Sequence, residues 1–420
     1  MSATLHVMSS GLKVVCDPVP GLRTLAVAVT ADGGARHEDA ERSGWSHLLE
    51  HMVFKGAGGR SARDLIERIE AVGGNLNAAT GQERTTFTAR VLADDLELAL
   101  STISDLVFRP NLDAEELERE KDVIAQEIAE AYDAPDDHVF DLTYAQAFAD
   151  QPIGRPILGS NDTLAGADRG RLEAWRARLY APERMTVSVA GAVSEDEMLA
   201  LAERWFGEAS SGQGADIAAS VFTGGMASEK RRIEQANLVF AVPGLAARDP
   251  DVPALALLVE ILGGGMASRL FQEAREARGL AYSVDAGYES FADGGLVSIF
   301  AGTAGDKAVG MAELAAAELR KLSDGVTEAE LSRARAQGLA GLYMAEESLA
   351  SRAERGAWQA LVWGRLIPTA EIAQRLADVG LEDLRRVAGR LVNPGRAAAA
   401  AIGPGGAARA PSAFVGTLLP

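Results

Sequence analysis

The sequence predicts an α+β protein of two structurally similar domains, each a mainly antiparallel sheet with helices packed on it. Three observations carry this reading. A chain of 420 residues is too long for one ordinary core, so two or more domains are expected. Residues 172–184 and 384–396 share Leu, Arg, Leu, Pro and Arg at a constant offset of 212, close to half the chain length, as an internal duplication would leave them. Helical and strand-like patterns mix in both halves, and each repeated segment runs into a small-residue strand, 185–192 and 397–402.

The elements follow in order. Residues 12–17 and 24–30 read as strands, and 44–56 as a helix bounded by glycines. Ser61 is an N-cap for a helix over 62–72, which Gly73 and Gly74 stop. Residues 77–92 alternate in polarity and read as one or two strands. Residues 94–108 form an amphipathic helix ended by Arg109 and Pro110. Asp113 with Glu116 makes a capping box that starts a helix running to about Tyr132. Residues 207–225 are rich in Gly, Ser and Ala and poor in charge, as a linker is. The domains are then 1–207 and 229–420, with 208–228 between them. In the second half, 327–356 and 372–392 read as long helices and 403–420 as loop.

Apolar residues make up 47% and charged residues 24%, the balance of a soluble globular protein. The net charge of −19 argues against nucleic acid or an anionic membrane as partner. The single cysteine, Cys16, excludes an internal disulfide. No apolar run reaches membrane-spanning length. The first twenty residues carry neither a basic segment followed by an apolar one nor an amphipathic Arg/Ser pattern, so a cytoplasmic location is expected.

His47, Glu50 and His51 form H-x-x-E-H, and positions i, i+3 and i+4 share one helix face. Two imidazoles supply half of a zinc site, and the carboxylate beside them can take a proton from metal-bound water. The chain has only five histidines, so a chance match is rare. A catalytic zinc wants a third protein ligand, and spacing alone does not choose among the many carboxylates. Glu120 and Glu127, two turns apart on one helix, are suggestive because Val123, Ile124 and Ile128 give that helix a buried side.

At this point a resemblance is clear. The chain resembles the pitrilysin-like zinc peptidases, especially the half-size branch of bacterial processing-type peptidases and mitochondrial processing peptidase, over nearly its whole length. The most specific patches are 44–56, 73–80, 118–128, 136–140, 154–159 and 268–283. In that family the third ligand is a glutamate about 76 residues after the second histidine, which falls on Glu127, and a supporting glutamate lies seven residues earlier, on Glu120. The resemblance thus implies one Zn2+ per chain held by His47, His51 and Glu127, with Glu50 as base and Glu120 supporting a ligand. It also implies an arginine and a tyrosine from the opposite domain, matched by Arg275 and Tyr282. Arg278 is a competitor for the arginine role. Residues 73–80 match an edge strand onto which substrate adds as a further strand, with Asn77 and Ala78 as contacts. Phe54 is expected to line a pocket for the residue after the scissile bond. Asp137 and Asp141 are expected to grip a basic side chain near the cleavage site. His138 is expected to be structural.

The combined reading is a zinc endopeptidase of two α+β domains closing like a clamshell on extended or unfolded peptides, with a homodimer expected from the half-size branch. The competing reading is a non-catalytic binding or structural subunit of the same fold.

Overall fold

The computed structural model describes residues 3–207 and 217–419. They form two compact units. The first comprises Met1–Ile128, Pro156–Ala218 and Met344–Ile367, and the second Ala129–Arg155, Ala219–Tyr343 and Pro368–Pro420.

The first unit is built on a six-stranded sheet. Its strands are β1 (Thr4–Val7), β2 (Lys13–Pro18), β3 (Thr24–Ala31), β4 (Asn75–Thr80), β5 (Thr85–Leu92) and β6 (Met185–Gly191), in the order β1-β2-β6-β3-β5-β4. Only β2 and β6 run parallel. The second unit repeats the pattern with β7 (Gly225–Lys230), β8 (Gln235–Pro243), β9 (Ala281–Ser290), β10 (Gly295–Ala304) and β11 (Ala398–Gly403), in the order β9-β10-β8-β11-β7, again with one parallel pair, β7 and β11. Read from the other edge, β7-β11-β8-β10-β9 is the first sheet without β1. The duplication inferred from the 212-residue offset is therefore a duplication of topology.

The helices repeat too. The first half supplies α1 (Trp45–Val53), α2 (Ala62–Glu70), α3 (Leu96–Phe108), α4 (Ala114–Asp133), α5 (Pro135–Ala147), α6 (Arg169–Leu179) and α7 (Glu195–Phe206). The second supplies α8 (Val252–Gly263), α9 (Ala308–Asp324), α10 (Glu328–Glu346), α11 (Leu349–Trp363), α12 (Thr369–Asp378), α13 (Leu381–Val392) and α14 (Ala410–Leu418). Each sheet carries its main core on one face. In the first unit Leu25, Val27 and Val29 join Leu48, Leu100, Ile103 and Trp175. In the second, Leu238, Phe240 and Val242 join Leu255, Met311, Leu384 and Phe414.

The opposite faces are covered by an exchange. α11, from the second half of the chain, packs Ala353 and Ala357 on Ala26, Ala28 and Ala190 of the first sheet. α5, from the first half, packs Val139 on Val239, Ala400 and Ile402 of the second. This is why β3 and β8 are nearly continuous apolar runs: both of their faces are covered. Each exchanged helix is tied to the neighbouring parallel strand by a contact between an acidic and a basic side chain. Arg352 of α11 meets both oxygens of Asp17 on β2, at 2.8 and 2.6 Å. His138 of α5 lies 3.0 Å from Glu229 on β7. Glu229 follows Asp17 by 212 residues and Arg352 follows His138 by 214, so the duplicated halves keep the acid and the base at matching places.

Several sequence expectations change. The helix expected over 327–356 is two helices, because Ser348 caps a new one by accepting from the Ser351 N–H. The helix over 372–392 breaks at Val379 and Gly380, where Asp383 accepts from the Gly380 N–H and restarts it. Residues 403–420, expected to be loop, hold α14, whose Phe414 ring stacks 4.5 Å from Phe240. In the segment read as linker, 208–216 lie outside the described residues, while Gly225–Lys230 is strand β7. No described helix is long and apolar enough to cross a membrane.

Candidate metal centre

α1 begins where Gly44 turns the chain at φ +91°, a left-handed conformation suited to glycine. A Cβ on Gly44 would lie 2.6 Å from the Leu158 carbonyl oxygen, so loop 154–159 presses directly on the helix entry. The helix has no side-chain cap from its neighbours in sequence. Instead the buried carboxylate of Glu38 accepts from the N–H groups of Gly44 and Ser46, both at 2.7 Å, placing a negative charge at the positive end of the helix. Trp45, Leu48, Leu49, Met52 and Val53 are buried and fix the helix rotation. His47, Glu50 and His51 are left half-buried on the remaining face.

α4 brings up the carboxylates. Glu127 Oε2 lies 3.8 Å from His47 Nε2 and 3.6 Å from His51 Nε2. Those separations exceed hydrogen-bond length. They approach the edge of about 3.3 Å expected for N and O ligands placed tetrahedrally at about 2.0–2.1 Å from one ion. Three ligand atoms from His47, His51 and Glu127 fall within 4.8 Å of one another, and no other such group occurs among the described residues. Glu120, only 3% exposed, sets the outer nitrogen of one ligand: its Oε2 is 2.9 Å from His51 Nδ1 and its Oε1 2.7 Å from Lys55 Nζ. This carboxylate–imidazole contact is the usual support of a metal-binding histidine. His47 Nδ1 and Glu50 Oε2 are buried without a hydrogen-bond partner. Burial, reinforced by the neighbouring His51, lowers His47 to about 4, so its imidazole is neutral and its lone pair free. Two imidazoles, one carboxylate and a further carboxylate beside them, whose Glu50 Oε2 has no hydrogen-bond partner, fit a zinc ion with an open position.

β4 lies at the sheet edge, joined to α1 where Thr80 Oγ1 donates to the Ser46 carbonyl at 3.5 Å. Asn77 is exposed on this strand and Ala78 is buried. A cleft of about 440 Å³ runs between α1, α2 and β4, lined by Glu50, His51, Phe54, Ile66, Leu76 and Asn77 among others. Phe54 is among the residues that line this cleft.

The remaining expected residues belong to the second unit. Tyr282, at the start of β9, is 78% exposed. The Arg275 guanidinium lies 5.5 Å from its ring centroid and 4.9 Å from that of Phe271. Arg278 instead faces Glu273, at 3.3 Å, so Arg275 is the arginine beside the tyrosine. Asp137 and Asp141 sit one turn apart on α5, and burial raises the Asp141 carboxyl above its usual range. His138 between them pairs with Glu229. α8, which stands where α1 stands in the first unit, has no histidine and buries Leu255, Leu257 and Leu258.

Sequence reasoning missed Glu38 and Lys55. Lys55 was within reach, one helical turn after His51. Glu38 caps from outside the helix, at no regular spacing.

The chain thus carries, among its described residues, one group able to hold a metal, on one half of a duplicated α+β fold, and comparison with known proteins gives its family. Residues 13–161 match the family described as Insulinase (Peptidase family M16), and 166–337 match the Peptidase M16 inactive domain. A Bacillus subtilis protein named uncharacterized zinc protease YmxG is 35% identical, over 92% of this chain and 95% of its own length. A Rickettsia bellii protein named uncharacterized zinc protease is 34% identical over 94% and 96%. In fold, the chain is similar to a crystal structure of a protease from Helicobacter pylori, with a TM-score of 0.88 at 22% identity over 96% and 99% of the two chains. The chain belongs to peptidase family M16.

Proposed function

We propose that this protein is a zinc-dependent endopeptidase acting on extended peptides or unfolded segments. The observation that carries the reading is the cage of His47, His51 and Glu127, with Glu50 unpaired beside it and Glu120 holding His51. Relatives named zinc proteases over nearly their full length support it.

His47, His51 and Glu127 would hold the zinc ion, which would supply a Lewis acid and make a water nucleophilic near neutral pH. Glu50 takes the proton from the attacking water and delivers it to the leaving amine, so water and a peptide bond become an acid and an amine. The open edge of β4 holds the substrate main chain as an added strand at Asn77 and Ala78, which gives affinity without demanding sequence. Tyr282 donates to the developing oxyanion and Arg275 holds a neighbouring carbonyl, supplied by the half of the chain that lacks a metal motif. Asp137 and Asp141 favour a basic residue near the cleavage site. A cytoplasmic homodimer with one zinc per chain, acting on processing-type substrates, completes the proposal.

The test is cleavage of a fluorescence-quenched basic peptide by the zinc-loaded protein, before and after chelation. Turnover lost on chelation and restored by zinc is expected. A stoichiometry near zero zinc with no turnover would favour the non-catalytic subunit instead.

A further inference from the structure

A second cavity, of about 620 Å³, opens in the first unit between the turn at residues 58–60, α2, α3 and the end of α7. It shares no lining residue with the cleft beside the metal: Ile66 and Ile69 of α2 line that cleft, and Arg68 lines this cavity. Arg60 and Arg109 line it as well, and the buried Asp105 holds both. Arg60 Nη1 donates to Asp105 Oδ2 and Arg109 Nε to Oδ1, each at 2.8 Å. Gly58 closes on this arrangement. Its N–H donates to the Arg109 carbonyl at 2.8 Å, and a Cβ there would lie 2.5 Å from Asp105 Oδ2. The other lining carboxylate, Glu97, is taken by Arg204 at 2.6 Å. One aspartate thus answers three arginines, and Arg68 has no ion-pair partner among the described residues. A surplus of two positive charges gathers here, in a chain whose net charge is −19. Two donors are also unmet: Arg68 Nη1 and Trp205 Nε1 are buried without a hydrogen-bond partner. Guanidinium and indole N–H groups only donate, so neither can satisfy the other. Buried donors call for an acceptor. Water could accept from both but would leave the charge unbalanced.

We propose that this cavity binds a small oxyanion of two or more negative charges, a phosphate or polycarboxylate group whose oxygens accept from Arg68 Nη1 and Trp205 Nε1. A dianion balances the surplus charge and meets both orphaned donors at once. Arg60 spends one of its five N–H donors on Asp105 and keeps the others for the same ligand. The planar guanidinium fork matches the oxygens of phosphate and carboxylate alike. The cavity volume falls in the range that holds a small molecule, so the oxyanion can be one end of a larger ligand. The site stands apart from the peptidase reading and needs no metal.

The experiment titrates inorganic phosphate and, separately, succinate into the isotope-labelled, zinc-loaded protein and follows the indole N–H resonances. Chloride holds the ionic strength constant. The chain has five tryptophans, and Trp205→Phe identifies the resonance of Trp205. A saturable shift of that resonance at millimolar anion is expected, with the Kd raised about tenfold in Arg68→Gln. Arg63→Gln, on the same helix but outside the cavity, should bind as wild type does. Saturation by phosphate, by succinate or by both supports the site and names the group it takes. If neither anion gives a saturable shift, the proposal is overturned. A shift that Arg68→Gln leaves unchanged also overturns it, since an effect through the metal would survive in that variant. Should Arg68→Gln fail to fold, Arg68→Lys decides in the same way, a weaker Kd supporting the site and an unchanged one overturning it.

Discussion

Glu120→Gln isolates the support given to the metal cage without touching a ligand. Glu120 is almost fully buried, and its two oxygens face two donors, His51 Nδ1 at 2.9 Å and Lys55 Nζ at 2.7 Å. Glutamine keeps the shape but offers one acceptor and one donor. If its oxygen faces His51, its amide N–H meets the Lys55 ammonium. If it is flipped, donor meets donor at His51. Either way one buried contact is lost, and the imidazole no longer leans on a negative charge. Loss of such a partner weakens metal binding about 10–100-fold, or about 1.4–2.7 kcal/mol. Competition against a chromophoric zinc chelator measures it, with circular dichroism to confirm the fold. Glu118→Gln is the control, since Glu118 is exposed and pairs only with Lys121. Zinc affinity within twofold of wild type in Glu120→Gln would refute the argument that Glu120 sets His51.

Three further outcomes follow from packing. Arg352→Met strips the partner from the buried Asp17 and should cost about 2–3 kcal/mol in urea unfolding, since an orphaned buried charge is costly; faster amide exchange over Leu349–Trp363 should accompany it. Gly44→Ala forces a left-handed φ and a Cβ 2.6 Å from the Leu158 carbonyl, so a loss of at least about 2 kcal/mol is expected, along with weaker zinc binding as α1 shifts. Burial, with the Arg184 guanidinium beside it, lowers His37 from 6.5 to about 4. The folded state thus favours the neutral ring, so this stability is complete above pH 6.5 and is lost as pH falls toward 4, up to about 3 kcal/mol. Urea midpoints at pH 7 and pH 4.5 for wild type and His37→Gln should differ less in the variant.

The metal motif and the duplication were legible because both are local patterns. H-x-x-E-H encodes a shared helix face, and a fixed offset survives because the matching halves keep the same element order. The exchange of α5 and α11 was not legible. An amphipathic helix declares that it needs a sheet, and its sequence does not say which of two similar sheets it will cover. The alternating clue was there in reverse: β3 and β8 are apolar on both faces, so each needs a cover beyond its own core. The breaks at Ser348 and Gly380 were hidden because the flanking Ala, Glu and Arg residues suit a continuous helix. α14 was hidden by the Gly, Ala and Pro content of its sequence, although Phe414 anchors it in the core. The Glu38 cap joins residues with no periodic relation, so only the fold brings it to α1.

The most direct test of the central claim measures zinc content and peptide hydrolysis together in wild type and Glu50→Gln. One zinc per chain in both, with turnover in wild type reduced at least about a thousandfold in the variant, is the predicted result. Equal turnover in the two proteins, or hydrolysis that persists with no metal bound, would contradict it.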